Sequence, residues 1–249
     1  MATLLTGLDF GGSSIKGGVV DVDGGRLTTG LESVRTPQPS TPDAVVHAVR
    51  GVVERLPSSG PIGFAYPGVV KHRRARTTAN IDASWLGVDG AALLEKTLGR
   101  PTVFLNDADA AGIAEMRWGA GRGARGVVIM LTFGTGIGSA IFLDGELLPN
   151  TEFGHVEFRG ADAEEWASAR VRTALNLDFP TWIGRVNEYL AYMHRLFWPD
   201  LFILGGAVSE RFDEFAPLLK AEAEVRPAHF AGQAGVIGAA LAAAELLSN

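Results

Sequence analysis

The chain has 249 residues, 47% apolar and 20% charged, with a net charge of −6 and no cysteine. The lack of cysteine excludes disulfides and thiolate metal sites, and the negative net charge argues against broad nucleic-acid binding. The length leaves room for two packed lobes around one cleft. Residues 1–10 lack the basic flank of a signal peptide and no apolar run reaches the ~18 residues of a membrane span, so we expect a cytoplasmic protein without a membrane partner.

The first half of the chain predicts strands followed by helices. Apolar runs separated by GGSS and DGG turns are typical of a strand meander. Thr41 and Pro42 supply a cap and a first-turn proline ahead of a valine stripe, which predicts a helix. The predicted elements are strands 4–10, 15–22 and 26–34, a helix from 41 to 53, a strand at 61–65 before a turn at 66–68, a helix at 89–98 and a strand at 102–105.

The second half predicts another alternation of helices and strands. Its elements are a helix at 107–117, hairpin strands at 126–132 and 137–143, an amphipathic helix at 179–197, a short strand at 201–204 and an alanine-rich helix at 233–246. This pattern indicates an α/β fold made of two related halves. We place an N-terminal lobe at 1–106 and a C-terminal lobe at 107–249, with the helix at 233–247 able to pack back on the first lobe.

One phrase of the sequence occurs twice, as LDFGGSSIKGGVV at 8–20 and LTFGTGIGSAIFL at 131–143. Each copy runs from an apolar strand through a small polar residue, Asp9 or Thr132, and a Phe-Gly turn into a second apolar strand. Glycine turns are common, but two copies in the same order indicate an internally repeated unit. Because successive N–H groups of such a turn can form an anion-binding nest, we predict two turns that hold one chain of phosphates.

Seven segments, in chain order, resemble the ROK sugar kinases of the actin-like ATPase superfamily, and most closely the subfamily of polyphosphate-dependent glucokinases. They are DFGGSSIKGG (9–18), AYPGVV (65–70), TTANID (77–82), LNDADAAGIAE (105–115), LTFGTGIGSA (131–140), PNTEFGH (149–155) and WPDLFILGG (198–206). The resemblance implies a two-lobed actin-like ATPase (ribonuclease H-like) fold with an interlobe cleft. It also implies Mg²⁺-dependent phosphoryl transfer to a hexose, and a homodimer.

The phosphate side of this chemistry is assigned to the two turns. Asp9 ends the first strand, where a carboxylate can hold hydrated Mg²⁺ beside the phosphates, whereas Thr132 is neutral at the same place in the repeat. Lys16 would add positive charge, or is a solvated surface lysine. The remaining phosphate-binding candidates are backbone or hydroxyl donors, namely Gly11, Gly12, Ser13, Gly134, Thr135 and Gly136, and the resemblance adds Gly205 and Gly206.

The acceptor side centres on Asp107. A carboxylate between a strand and a helix can take the proton of a sugar hydroxyl, but it can equally cap the helix. The resemblance assigns the general base to Asp107 and leaves Asp109 as a first-turn helix residue. It implies sugar contacts from Asp107 itself and from Gly68, Asn80, Asn106, Glu152 and His155, with Glu157 as a further candidate.

The chain departs from many ROK kinases after His155. They carry a cysteine-rich zinc loop there, whereas residues 156–170 read VEFRGADAEEWASAR. We therefore expect no zinc, and the polyphosphate-dependent glucokinases share this departure.

The donor is the most open part of the sequence reading. A nucleotide would use ILGGAVS (203–209), while polyphosphate would need a basic track, and either basic cluster can also be an ordinary solvated loop. The candidate tracks are Lys71, His72, Arg73, Arg74 and Arg76, and Arg117, Arg122 and Arg125. We expect glucose 6-phosphate to be made from glucose and inorganic polyphosphate, with ATP as a further donor. The alternatives are a strictly ATP-dependent hexokinase and a non-catalytic sugar-sensing domain.

Overall fold

The strands of the N-terminal part follow the apolar runs and glycine turns of the sequence. The computed structural model describes residues 2–78 and 80–247. The strands of this part are β1 (Leu4–Phe10), β2 (Ser14–Asp21), β3 (Arg26–Leu27), β4 (Glu32–Arg35), β5 (Ile62–Tyr66), β6 (Val70–Lys71), β7 (Arg74–Ala75) and β8 (Thr102–Asn106). They form a sheet in the order β3-β2-β1-β5-β8 with β4 also paired to β2, while β6 and β7 form a separate ribbon.

The predicted strand at 26–34 is wrong, because it is two short strands separated by a bend. The Thr28 hydroxyl donates to the Val19 carbonyl at 3.1 Å, and the Val19 N–H donates to Thr29 Oγ1 at 3.2 Å. These threonine side chains bind β2 in the interval between its ladders with β3 and with β4.

The first two helices of this part begin at polar caps, of which Thr41 was predicted. α1 (Pro42–Val53) starts where Thr41 Oγ1 accepts the Ala44 N–H at 3.4 Å. α2 (Gly90–Leu98) starts where Asp89 accepts the Ala92 N–H at 2.9 Å. α3 (Asp107–Trp118) follows β8 directly. The valine stripe of α1 packs in the same apolar core as β1 and β2.

The following part repeats the arrangement of strands. Its strands are β9 (Val127–Phe133), β10 (Ile137–Leu143), β11 (Glu146–Leu148), β12 (Glu157–Phe158), β13 (Ala161–Asp162), β14 (Leu201–Gly205) and β15 (Glu224–Pro227). Its helices are α4 (Glu164–Ala167), α5 (Ala169–Ala174), α6 (Phe179–Phe197) and α7 (Phe212–Phe215). The sheet order is β11-β10-β9-β14-β15, and β12 pairs with β13. The predicted second hairpin and the long helix are confirmed.

The last helix, α8 (Ala234–Ala244), packs on the backbone of the first sheet. A Cβ atom on Gly7 would overlap the Val236 carbonyl, and one on Gly63 would overlap the Ala239 carbonyl. Only glycines on β1 and β5 therefore permit this close approach of the alanine-rich helix.

The chain divides into two units. The first unit contains residues up to Ala114 together with those from Gln233 onward, and the second is Glu115–Gly232. The division thus falls within α3, later than the boundary placed after residue 106 in the sequence reading, and α8 belongs to the first unit.

The two sheets share one topology. In the first, β1 lies between antiparallel β2 and parallel β5, and in the second, β9 lies between antiparallel β10 and parallel β14. This confirms the predicted α/β fold with a duplicated hairpin. Within the described ranges, no helix combines the length and apolar character that crossing a membrane requires.

Candidate active site

Asp9 and Lys16 face each other across the first hairpin. They are directly opposed in the β1–β2 register, so their side chains lie on the same face of the sheet. Burial raises the pKa of Asp9, and the positive charge of Lys16 partly opposes that shift. The carboxylate is thus held where its negative charge is costly and where a cation would stabilise it.

The beginning of α8 lies against the Asp9 carboxyl group. A Cβ atom on Gly235 would come within 2.8 Å of Asp9 Cγ, so no side chain fits at that position without displacing the carboxyl group. The first turn of a helix carries partial positive charge, which favours a nearby carboxylate.

Three candidate residues lie at, or just beyond, the ends of strands that finish at one edge of the first sheet. β1, β5 and β8 are parallel neighbours, and the register aligns Asp9 with Ala65 and Ala65 with Leu105. Adjacent strands lie about 4.8 Å apart. Asp9, Gly68 and Asp107 are therefore brought to the carboxyl edge of this sheet, where open α/β sheets bind their ligands.

Asn106, rather than Asp107, caps α3. Asn106 Oδ1 accepts the backbone N–H of Asp109 at 2.9 Å, and Asn106 Nδ2 donates to the Gly68 carbonyl at 3.1 Å. Asp107 Oδ1 accepts the N–H of Ala108 at 2.8 Å, and the residue is partly exposed. Asn106 therefore takes the capping role that was the alternative for Asp107. The Asn106 amide, which was predicted to contact the sugar, fixes Gly68 and the start of α3.

Gly68 occupies a place that only glycine fits. Its φ is 151°, and a Cβ atom would come within 2.8 Å of the Thr77 carbonyl oxygen. The Tyr66 hydroxyl donates to the same carbonyl at 3.0 Å. The backbone at Gly68 is therefore fixed beside Asn106.

Asn80 lies beside the first glycine turn. It is exposed, with a φ of 59°, and a Cβ atom on Gly12 would lie 3.5 Å from the Asn80 carbonyl oxygen. A residue predicted to contact the sugar is thus next to one predicted to contact phosphate.

The second hairpin places neutral residues where the first has charges. Thr132 is opposite Gly138, in the positions of Asp9 and Lys16, and Thr132 also aligns with Gly205 of β14. Gly206 has a φ of 84°, and a Cβ atom there would overlap the Phe133 carbonyl. The structure therefore brings Gly205 and Gly206 next to the second hairpin.

In each turn, one backbone N–H group is used within the turn itself and is not available to a ligand. Gly11 N–H donates to the Ser14 carbonyl at 3.0 Å, and Gly134 N–H donates to the Gly136 carbonyl at 3.0 Å. These two amides close their own turns. The other candidate amides, those of Gly12, Ser13, Thr135 and Gly136, donate no hydrogen bond to any described residue.

Glu152 and His155 come together in the second unit. His155 Nδ1 lies 2.8 Å from Asp162 Oδ2, and His155 Nε2 lies 3.8 Å from Glu152 Oε2. The hydrogen bond to Asp162 raises the pKa of His155, while burial raises that of Glu152. Glu157 is exposed and opposes Asp162 in the β12–β13 register. The candidate sugar residues thus divide between the units, with Gly68, Asn80, Asn106 and Asp107 in the first and Glu152, His155 and Glu157 in the second.

Sequence reasoning missed Glu164. Its Oε2 accepts the Ile137 N–H at 3.1 Å, and a Cβ atom on Gly136 would overlap that same oxygen. A Cβ atom on Gly154 would lie 3.2 Å from it. Glu164 therefore joins the second glycine turn to the segment that carries Glu152 and His155, and the glycine at 136 leaves space for its carboxylate.

Asp162→Asn is expected to lower the pKa of His155 toward its ordinary value, because the hydrogen bond to Asp162 is the largest cause of the shift. NMR titration of the imidazole measures this directly. A raised pKa in the folded state stabilises the fold below the unfolded-state pKa, and this contribution is lost as pH rises through the folded-state pKa. The substitution should reduce that pH dependence of unfolding. Glu165→Gln removes an exposed carboxylate from the same segment and should leave His155 unchanged, whereas an unchanged pKa in the Asp162 variant would contradict the assignment.

A cavity of about 640 Å³ opens in the second unit. The rings of Trp118 and Phe212 line it together with Ala120 and His229. Fully buried Glu115 accepts the N–H groups of Ala120 at 2.8 Å and His229 at 3.0 Å, so one carboxylate ties two walls together. The size is that of a small-molecule site.

The predicted basic tracks are partly neutralised by neighbours. Arg73 Nη2 lies 2.6 Å from Glu95 Oε2, and Arg74 Nη2 lies 3.8 Å from Asp89 Oδ2. The remaining members of that cluster are exposed and form no ion pair within the described residues, namely Lys71, His72 and Arg76. In the other cluster, Arg117 and Arg122 lie over the Trp118 ring, 5.6 and 5.2 Å from its centroid.

Comparison with known proteins finds relatives over nearly the whole chain. A polyphosphate glucokinase of Mycobacterium tuberculosis is 47% identical over 237 residues, which cover 95% of this chain and 89% of the relative. The inorganic polyphosphate/ATP-glucomannokinase of Arthrobacter sp. strain KM superposes with a TM-score of 0.94 and 44% identity, covering 98% of this chain and 99% of that one.

A second solved structure is a ROK family glucokinase from Streptomyces griseus in complex with glucose and AMPPNP. It has a TM-score of 0.83 and 28% identity, and the match covers 98% of this chain and 100% of that one. The sequence model that describes the ROK family matches residues 5–170. On the shared fold, the duplicated glycine hairpins and this sequence match, the chain belongs to the ROK family.

Proposed function

We propose that this chain is a glucokinase that transfers the terminal phosphoryl group of inorganic polyphosphate, and also that of ATP, to the 6-hydroxyl of glucose. The observation that carries the proposal is the placement of Asp9, Gly68 and Asp107 at the carboxyl ends of three neighbouring parallel strands. The 47% identity to a polyphosphate glucokinase supports the choice of substrates.

Asp107 acts on the acceptor. Its carboxylate takes the proton of the glucose 6-hydroxyl as that oxygen attacks the terminal phosphorus, and the bond between that phosphorus and the rest of the donor breaks. Because Asn106 caps α3, the Asp107 carboxylate is not needed as the cap. The Ala108 N–H orients one carboxylate oxygen.

Asp9 fits a magnesium site that is completed by substrate. Mg²⁺ in kinases is held by one or two carboxylates together with phosphate oxygens, and burial makes the Asp9 charge one that a cation would stabilise. Within the described ranges, no group of three or more His, Asp or Glu side chains is arranged so that it could hold a metal ion by itself. When bound, Mg²⁺ neutralises charge on the donor phosphates.

The cavity lined by Trp118 and Phe212 supports ATP as a further donor. Two aromatic rings beside polar side chains suit a nucleoside, which polyphosphate lacks. The AMPPNP complex of the Streptomyces griseus relative and the polyphosphate/ATP donors named for the Arthrobacter enzyme support the use of both donors. A homodimer and a cytoplasmic location complete the proposal.

The deciding experiment measures glucose 6-phosphate formed with Mg²⁺ and glucose when pure polyphosphate and pure ATP are offered separately. We expect product with polyphosphate and with ATP. Product with ATP alone would establish a strictly ATP-dependent hexokinase, and glucose binding without product from either donor would establish a sugar-sensing domain. Mannose as the acceptor then tests the sugar range, since the Arthrobacter relative is a glucomannokinase.

A further inference from the structure

A residue outside the hairpin holds the carbonyl groups of each glycine turn. In the first turn, the Thr36 hydroxyl donates to the Gly11 carbonyl at 2.6 Å and the Thr36 N–H donates to the Ser13 carbonyl at 3.1 Å. In the second, the Arg170 N–H donates to the Gly134 carbonyl at 3.0 Å and Arg170 Nε donates to the Thr135 carbonyl at 2.9 Å. In each turn, one residue therefore donates two hydrogen bonds to two turn carbonyls, one from its backbone N–H and one from its side chain.

The two contacts arise from unrelated parts of the fold. Thr36 follows β4 and is 6% exposed, whereas Arg170 is an exposed residue of α5. The turns themselves also differ, with four residues between Phe10 and Ile15 and three between Phe133 and Ile137. The same pattern of contacts in two such different settings points to a requirement of the turns.

That requirement follows from the geometry of the peptide bond. In a planar trans peptide, the C=O group and the next N–H group point in opposite directions. A carbonyl held by Thr36 or Arg170 therefore directs the N–H of Gly12, Thr135 or Gly136 away from the holding residue. These three are among the four turn amides that donate no hydrogen bond to any described residue, and they belong to exposed or half-exposed residues.

We propose that Thr36 and Arg170 are positioning residues that orient the amides of the two glycine turns toward the phosphates of the donor. Neither needs to touch the donor. The inference rests on the proposed kinase function, and it adds what determines the direction of the phosphate-binding groups.

Thr36 gives the sharper test because its side chain is uncharged. Thr36→Val removes the hydroxyl bond but keeps the shape and the backbone bond to Ser13. Losing one such hydrogen bond should lower kcat/KM for polyphosphate by about three- to tenfold. The KM for glucose should change by less than about twofold, because the lost hydrogen bond makes no contact with the glucose site. Thr36→Ser should restore the donor kinetics.

Thr102→Val is the matched control. The Thr102 side chain is 3% exposed, and its hydroxyl donates to the Arg100 carbonyl at 3.1 Å, at the other end of β8. The Thr102→Val change removes a hydroxyl from a residue as buried as Thr36, but this hydroxyl binds a carbonyl outside the glycine turns. Equal losses in the Thr36 and Thr102 variants, or normal donor kinetics in a folded Thr36→Val protein, would overturn the proposal.

Arg170→Ala provides a second test that does not disturb the core. Its control is Arg159→Ala, which removes another exposed positive charge of the same unit, one that pairs with Glu188 at 3.2 Å. We expect a donor-specific loss of about three- to tenfold only in the Arg170 variant, and a loss that persists at 0.5 M salt. A loss abolished by salt would mean that Arg170 binds the donor directly and would overturn its positioning role. Wild-type protein inactive with both donors would instead refute the kinase function itself.

Discussion

Asp107→Asn is expected to lower kcat by about 10²- to 10⁴-fold, the range that a positioned general base contributes. Asparagine keeps the shape of the side chain and can still accept the Ala108 N–H, but it cannot take a proton from the sugar. Since Asn106 caps α3, the helix should begin as before. The loss should therefore appear in turnover and not in folding.

The measurement pairs turnover with glucose binding by calorimetry. The Kd for glucose should stay within about threefold, because one hydrogen bond at most is weakened. Asp43→Asn is a suitable control, since Asp43 is an exposed carboxylate in the first turn of α1 and its loss tests the effect of helix-terminal charge alone. Near-normal turnover of the Asp107 variant would remove this residue from the role of base.

Local patterns of the sequence were sufficient to predict much of the fold. The cap at Thr41 is read from residue type, and the two hairpins are read from their apolar strands and glycine turns. The duplication was visible because each copy keeps its order along the chain. These are short-range properties, so they survive without any knowledge of tertiary contacts.

The contacts that shape the site are long-range and left no such pattern. Thr36 is 25 residues from Gly11, and Arg170 is 35 residues from Thr135. Both bind backbone carbonyls, which every residue carries, so the sequence holds no matching partner. Gly136 was predicted to bind phosphate through its backbone N–H group. Only the structure shows that its missing side chain also leaves room for the Glu164 carboxylate.

Asn106 shows a different limit. An asparagine between a strand and a helix suits a sugar-binding residue and a helix cap equally well. The structure shows both of its amide groups engaged, with Gly68 and with the backbone of Asp109. Sequence reasoning weighed the capping role for Asp107 alone, one residue too late in the chain.

Asp9→Asn is expected to lower kcat/KM by about 100-fold or more and to raise the Mg²⁺ concentration needed for half-maximal activity. A metal-held charge is worth several kcal/mol in a transition state, and each ~1.4 kcal/mol is tenfold in rate. Asp23→Asn, an exposed carboxylate in the turn after β2, is the control and should match the wild type in both measurements. Activity is measured across a Mg²⁺ titration, and unfolding is followed in parallel from pH 5 to pH 8.

The same substitution should stabilise the fold, and this opposite effect separates a site residue from a packing residue. Because burial raises the pKa of Asp9 in the folded state, its carboxyl group favours folding when protonated, and that contribution is lost as pH rises through the folded-state pKa. Asparagine is neutral at every pH, so the stability advantage of the variant should grow as pH rises from the unfolded-state pKa to the folded-state pKa of Asp9. The space beside Gly235 is preserved, since the two side chains have the same size. A variant that loses activity and stability together would show that the Asp9 charge supports the fold, and it would contradict the role of Asp9 as the metal-side carboxylate.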